Sequence, residues 1–359
     1  MGNKIGILTY QRSINYGALL QAFSLQRYIE EQGCECQIID YWPDYHKNKF
    51  KFFSYELFCE LSLRRKIGYL YFLLLHGISK IRRNACTKKF IHEYLNLTDS
   101  LHFDIAIYGS DQIWRKQHTR GRLFYNPVYF GNEYVCAHRK IAYAASMGSI
   151  DANDTDKEFL RQHLSNFDNV SVRESDLKAF LYNNLSINAQ LVCDPVFFHS
   201  QDEWRKIVCE NYIPSYKYIL YYRLQNVKLL DAFVKKLSEQ TNLPVIELGS
   251  SMNSFLKNKC RYAAGPIEFI SLLSGADYVV TSSFHGLAFS IIFHKQFFVC
   301  LKDRKSRVGS ILEKLDLVNR AITQDNIDSV GETIDYDKVD AIKNSWVAQS
   351  KEWLNNQLL

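Results

Sequence analysis

No two cysteines in this 359-residue chain stand at CxxC spacing, although nine are present. Cys34 and Cys36 come closest, with one residue between them. The scatter and the odd count exclude zinc-ribbon and zinc-finger frameworks and fit reduced thiols in a cytoplasmic protein. Ten histidines are dispersed without a ligand motif, so no metal is expected. The start, from Met1 to Tyr10, lacks the apolar core and small-residue cleavage site of a signal peptide, which supports the same location. There is no short repeat, low-complexity tract or nucleic-acid motif. No apolar run reaches the roughly 20 residues that a bilayer-spanning helix needs.

What is present describes an ordinary globular protein: 47% hydrophobic and 23% charged residues. Tyr and Phe, 23 of each, are plentiful, which suits aromatic packing first and sugar stacking second. The charge of +6 is unevenly placed. Between Lys47 and Lys89, eleven Lys and Arg stand against Glu56 and Glu60, a local net of +9. Ile67 to Ile78 is apolar and bracketed by Arg64-Arg65-Lys66 and Lys80-Ile81-Arg82-Arg83. This run suits either a buried helix with solvated basic ends or a helix lying on an anionic membrane surface. A nucleic-acid partner is not expected, because no recognition motif accompanies the charge.

Apolar strand-like runs alternate with helical patterns along the chain. Strands are expected near Ile5–Thr9, Gln37–Asp40, Asp104–Tyr108, Lys140–Ser146, Asn169–Val172 and Gln190–Cys193, then Tyr218–Leu224, Val245–Leu248, Tyr278–Thr281 and Phe297–Leu301. Such alternation predicts an α/β fold of two Rossmann-like, doubly wound domains facing a cleft. The expected boundaries are 1–200, with the basic insertion near 47–89, and 216–335. A C-terminal helix over 336–359 would pack back across both.

Ligands in such folds sit beyond the carboxyl ends of the strands, and the loops there carry the chemistry. Ser282 and Ser283 follow the Tyr278–Thr281 strand and open a helix, a place that favours an anion. Gly286 permits close backbone approach, and His285 adds a group able to exchange protons near neutral pH. Arg173, directly after a strand, offers a fork that matches phosphate or carboxylate, with a salt bridge to a neighbour as the competing use. Arg304 and Arg307 could also reach an anion, although a solvated loop is the simpler expectation. Arg12, Asn15 and Gly17 occupy the first strand-to-helix loop, where Asn15 could cap the helix or touch a ligand. Asp111 and Gln112 suit sugar hydroxyls, and Asp111 could instead start a helix or serve as a base.

Taken in order, these motifs resemble the polysaccharide pyruvyl transferase family, in particular its capsule- and exopolysaccharide-type members. The residues that carry the resemblance begin with Asn15-Tyr16-Gly17-Ala18-Leu19-Leu20-Gln21-Ala22 and Gly109-Ser110-Asp111-Gln112 with Trp114. Tyr143 to Gly148, Ser171-Val172-Arg173-Glu174 and Cys193-Asp194-Pro195-Val196 follow, then Gly265-Pro266 and Ser283-Phe284-His285-Gly286. The match runs from about Ile5 to Leu315. The resemblance implies an architecture similar to the GT-B glycosyltransferases, and transfer of pyruvyl from phosphoenolpyruvate to a saccharide as a ketal, without a further cofactor. It places the catalytic pair on His285 and Arg173, and the donor on Ser282, Ser283, Gly286 and Arg173. The saccharide, free or lipid-linked, would meet Arg12, Asn15, Gly17, Asp111 and Gln112. Some relatives carry a basic or other residue where Phe284 stands, and the insertion matches no family motif. Two other functions fit the same architecture: a nucleotide-sugar glycosyltransferase, and an inactive saccharide-binding or assembly protein.

Overall fold

Runs of four or five apolar and β-branched residues, closed by polar turns, form strands buried on both faces, as parallel sheets require. Residues 3–119, 122–224, 227–249, 263–301, 307–327 and 332–359 are described by a computed structural model, the side chains at 49 and 119 excepted. The first half contributes β1 (Lys4–Leu8), β2 (Glu35–Ile39), β3 (Leu97–Thr98) and β4 (His102–Asp111). A separate antiparallel hairpin follows, β5 (Gln117–Thr119) and β6 (Arg122–Phe124). Then come β7 (Cys136–Ala145), β8 (Asn169–Val172) and β9 (Gln190–Leu191). Seven of these strands form one parallel sheet in the order β3-β2-β1-β4-β7-β8-β9. The second half supplies β10 (Ile219–Arg223), β11 (Val245–Gly249), β12 (Tyr278–Thr281), β13 (Gln296–Cys300) and β14 (Ala321–Ile322). They form a parallel sheet in the order β11-β10-β12-β13-β14.

Both orders reverse once. The switch falls between β1 and β4 in the larger sheet and between β10 and β12 in the smaller. A crevice opens at the carboxyl ends of the strands at such points, because the flanking connections depart to opposite faces.

The helices are α1 (Tyr16–Glu31), α2 (Asp44–Phe50), α3 (Tyr55–Glu60), α4 (Leu63–Tyr94), α5 (Asp154–Leu164) and α6 (Ser175–Leu185). They continue with α7 (Gln201–Arg205), α8 (Lys228–Thr241), α9 (Pro266–Gly275), α10 (Phe284–Ile292), α11 (Arg307–Lys314) and α12 (Tyr336–Leu358). α1 is buried nearly all round, and it joins the two halves. Tyr16 stacks on Phe269 of α9 at 5.4 Å and lies 6.0 Å from Tyr222 of β10. α12 spans the same junction. Its Tyr336 hydroxyl donates to Lys295 O (2.5 Å), while Ser350 Oγ accepts from Cys193 N (2.9 Å) and Asn355 Oδ1 accepts from the Tyr28 hydroxyl (2.9 Å).

One strand is longer than the sequence expectation. β4 runs on through Asp111, which pairs with Ala145 in the ladder, so Gly109 to Asp111 is strand rather than loop. Ser175 is the first residue of α6, and the cap position belongs to Glu174, whose carboxylate is engaged elsewhere. Between the two halves, a capping box between Ser200 and Glu203 starts α7.

Candidate functional site

The loops after β1 and β4 meet those after β10 and β12 around a cavity of about 400 Å³. From the first half it is lined by Tyr10, Ser13, Asn15, Asp111, Gln112 and Arg115, with His46 of α2; from the second, by Ser282, Ser283, Phe284, His285 and Arg307. An adjoining cavity of about 240 Å³ shares Gln112, Arg115, Ser282, Phe284 and Arg307 with it. The two switch points therefore open onto one continuous cleft.

His285 is the second residue of α10 and is 3% exposed. Its ring lies against the start of α1. A Cβ built on Gly17 would stand 2.1 Å from His285 Nδ1 and Cγ, so only glycine at that position leaves room for the imidazole. Nε2 faces Asp194 Oδ2 at 3.8 Å and has no hydrogen-bond partner among the described residues. Ser283 caps α10, its Oγ accepting from Gly286 N (3.4 Å). The Gly286 amide is thus occupied. A Cβ on Gly286 would meet Thr281 Oγ1 at 2.4 Å, so this glycine serves helix–strand packing. The amides of Phe284 and His285 have no acceptor among the described residues, as the first turn of a helix leaves them. Ser282 Oγ accepts from Leu224 N (3.2 Å), which leaves its hydroxyl proton to donate.

Arg173 stands behind the lining rather than in it. Its guanidinium is 1% exposed and covered by the Phe284 ring, whose centroid is 4.6 Å away. It bonds Asp194 at short range, and it also reaches Ser110 Oγ (3.1 Å), Asp111 Oδ1 (3.3 Å) and Glu174 Oε1 (3.5 Å). Three carboxylates in reach explain why the fork turns away from the cleft. Burial disfavours its charge, but Asp194, Glu174 and Asp111 outweigh that and hold its pKa above the ordinary range. Asp194 is pressed toward protonation by burial, yet Arg173 and then His285 keep it well below the usual carboxylate range. Arg173 and His285 thus converge on the two sides of one ionised aspartate.

Arg307, at the start of α11, takes the exposed position that Arg173 lacks. Its guanidinium carbon lies 5.6 Å from the centroid of the Phe284 ring, its side chain is 25% exposed, and it lines both cavities. Burial and then Arg173 push its pKa down to about 10, so it stays a cation at neutral pH. With the Gln112 amide oxygen turned toward it, Arg307 Nη1 donates at 3.0 Å. Arg304 lies outside the described residues. Glu174, 3.8 Å from Arg307 Nε, is pushed up to about 7 by burial, against the pull of Arg173 and Arg307 and a 2.5 Å bond from Ser146 Oγ.

The first-loop residues part company. Asn15 caps α1, its Oδ1 accepting from Gly17 N (3.1 Å), and also lines the cavity. Arg12 is turned aside: it grips Asp40 with two 2.5 Å bonds and lies over Trp42 at 4.7 Å. Asp111 sits at the end of β4 with φ 76°, a left-handed conformation that Asp tolerates better than most residues. Its carboxylate is shared between Arg173 and the cavity wall. Gln112 lines both cavities. Asp194, Arg115 and His46 received no site role from the sequence. For Asp194 a signal existed, since Cys193-Asp194-Pro195-Val196 was among the motifs; for His46, just before the insertion, there was none.

The polysaccharide pyruvyl transferase family model matches residues 15–303. None of the curated proteins matches. Among solved structures, S. aureus MnaA in a co-structure with UDP superposes with a TM-score of 0.53 at 12% identity, over 99% of this chain and 96% of that one. The UDP-GlcNAc 2-epimerase of Methanocaldococcus jannaschii, in complex with UDP-GlcNAc and UDP, gives 0.47 at 13%, over 99% and 98%. Sucrose-phosphate synthase from Thermosynechococcus elongatus gives 0.39 at 13%, over 99% and 98%. The fold is that of GT-B enzymes. On the strength of a match across most of its length, the chain belongs to the polysaccharide pyruvyl transferase family.

Proposed function

We propose that the protein transfers pyruvyl from phosphoenolpyruvate to two hydroxyls of a saccharide, forming a cyclic ketal and releasing phosphate. One observation carries this reading beyond family membership: one cavity is lined by an imidazole, a guanidinium and a helix start whose first two amides have no acceptor among the described residues. Phosphoenolpyruvate offers a group for each. The Phe284 and His285 amides, the Ser282 hydroxyl and Arg307 suit its phosphate and carboxylate. His285 delivers a proton to the methylene carbon as the first sugar hydroxyl attacks C2, each hydroxyl losing its proton as it bonds. Phosphate leaves with one proton, and the second hydroxyl closes the ketal at C2. Asp194, kept ionised by Arg173, supplies the countercharge behind the imidazole. Asn15, Asp111 and Gln112 stand opposite, where the saccharide's hydroxyls would be held.

In this reading Arg173 acts through Asp194 and Asp111, and Arg307 is the direct contact to the donor. Gly17 shapes the pocket by leaving space for the ring, and Arg12 anchors its loop to Asp40. Saccharide acceptors screened for phosphate release from phosphoenolpyruvate test the reaction. His285→Ala is expected to lower turnover by about 10²–10⁴-fold, the usual worth of a general acid, with its thermal transition kept. Near-normal turnover would remove His285 from the chemistry. Stabilisation by a sugar nucleotide, with none by phosphoenolpyruvate, would favour glycosyl transfer on the same scaffold.

A further inference from the structure

α4 is apolar on two opposite faces, and the fold uses only one of them. Tyr69, Phe72 and Leu73 turn inward and pack with Phe58 and Leu61, while Gly77 receives the Phe52 ring. On the other side Leu63, Ile67, Leu70, Leu74, Ile78 and Ile81 recur at three- and four-residue spacing and are 49–86% exposed. The stripe from Leu63 to Ile81 runs about 27 Å along the helix at the ordinary rise per residue. Single exposed apolar side chains are common on any surface, but a continuous strip of this length marks a docking surface.

Its charge pattern selects the occupant. Arg64, Arg65 and Lys66 stand at one end, Lys80 and Arg82 at the other, and no Lys, Arg, Asp or Glu lies between Ile67 and Ser79. We infer that this stripe seats the protein on an anionic bilayer surface, with α4 lying flat, its apolar side chains in the headgroup boundary and its basic ends on the lipid anions. A second copy of the chain fits poorly. Two stripes paired in either direction bring basic end against basic end, a repulsion that anionic headgroups would relieve. Spanning is not an alternative, since no helix among the described residues is long and apolar enough to cross a membrane.

The docked helix is tied to the cleft. Arg83, on the inward face and 2% exposed, donates to Ile14 O (2.7 Å) in the loop that enters α1 and lies over Tyr16 at 5.3 Å. α2, which leads into the same insertion, supplies His46 to the cavity wall. Seating α4 on a surface therefore sets the orientation of the acceptor side of the cleft toward it.

The test needs no turnover, so its outcome is independent of the proposed reaction. The full chain is sedimented with phosphatidylcholine vesicles, with and without phosphatidylglycerol. It is expected to bind the anionic vesicles and to leave them as salt screens the charge. The variant Ile67→Gln/Leu70→Gln/Leu74→Gln/Ile78→Gln, altered only at outward positions, is expected to keep its thermal transition and bind at least ~10-fold more weakly. Arg64→Gln/Arg65→Gln/Lys66→Gln should lose the preference for phosphatidylglycerol. Wild-type protein that ignores both vesicle types, or binds both equally, overturns the inference. So does a dimer that the four-Gln variant converts to monomer without any vesicle binding, an outcome that assigns the stripe to a second copy.

Discussion

His285 and Gly17 are 268 positions apart, yet the ring of one fills the space where the other lacks a side chain. Alanine at 17 is ordinarily favourable in a helix, by about 1 kcal/mol over glycine. Here its Cβ would strike the buried imidazole and push it toward the cavity. Gly17→Ala is expected to cost about 1–3 kcal/mol of stability, as overpacking does, and about 10²-fold in turnover through displacement of the imidazole. In a His285→Ala background the same substitution should cost little stability, because the obstacle is gone; an undiminished cost there would show that Gly17 answers to something else. Glu174 supplies a pH dependence of its own. Its carboxyl is raised from the ordinary 4.5 to about 7, chiefly by burial. Between those values the folded chain holds a proton that the unfolded chain has released, so this group's stabilisation fades as pH rises. Melting temperatures from pH 4.5 to 7 should fall more steeply for the wild type than for Glu174→Gln. Parallel curves would refute the shift. Arg173 shows why residue roles outran the sequence: its position after a strand was legible, but the three carboxylates that turn its fork inward come from β4, α6's cap and the turn after β9.

Among the elements, α12 was visible as a helix because Val339, Ile342, Trp346, Trp353 and Leu354 recur near helical spacing. Its partners were not visible, since they lie in both halves of the chain. Trp346, 6% exposed, packs its ring 6.1 Å from Phe197. Trp346→Ala should destabilise the protein by about 3–5 kcal/mol, as loss of a buried aromatic does. Denaturant titration checks this, and a loss below about 1 kcal/mol would mean that α12 is not part of the cooperative core. α4 is the reverse case. Its apolar centre and basic ends were plain, but composition left both a buried helix and a surface helix open. The structure divides the helix: one face is buried on Phe58 and Leu61, and the opposite face is left to the outside. Periodicity counts apolar residues on a face without saying whether another element covers it.

Across the whole molecule, the alternation of strands and helices determined the parallel α/β class, the approximate extent of most elements and the loops at their carboxyl ends. The motif series determined the family, because it is a local pattern readable in chain order. Strand order was not determined by any of this, and it is strand order that places the two switch points. Only the assembled sheets brought the loops after β1 and β4 against those after β10 and β12, set Asp194 between Arg173 and His285, and put Arg307 rather than Arg173 in the cleft wall. The physical reason is range. Caps, turns and hydrophobic period act over a few residues and are written locally, whereas burial, ion pairing and the meeting of cavity walls depend on partners one or two hundred residues away.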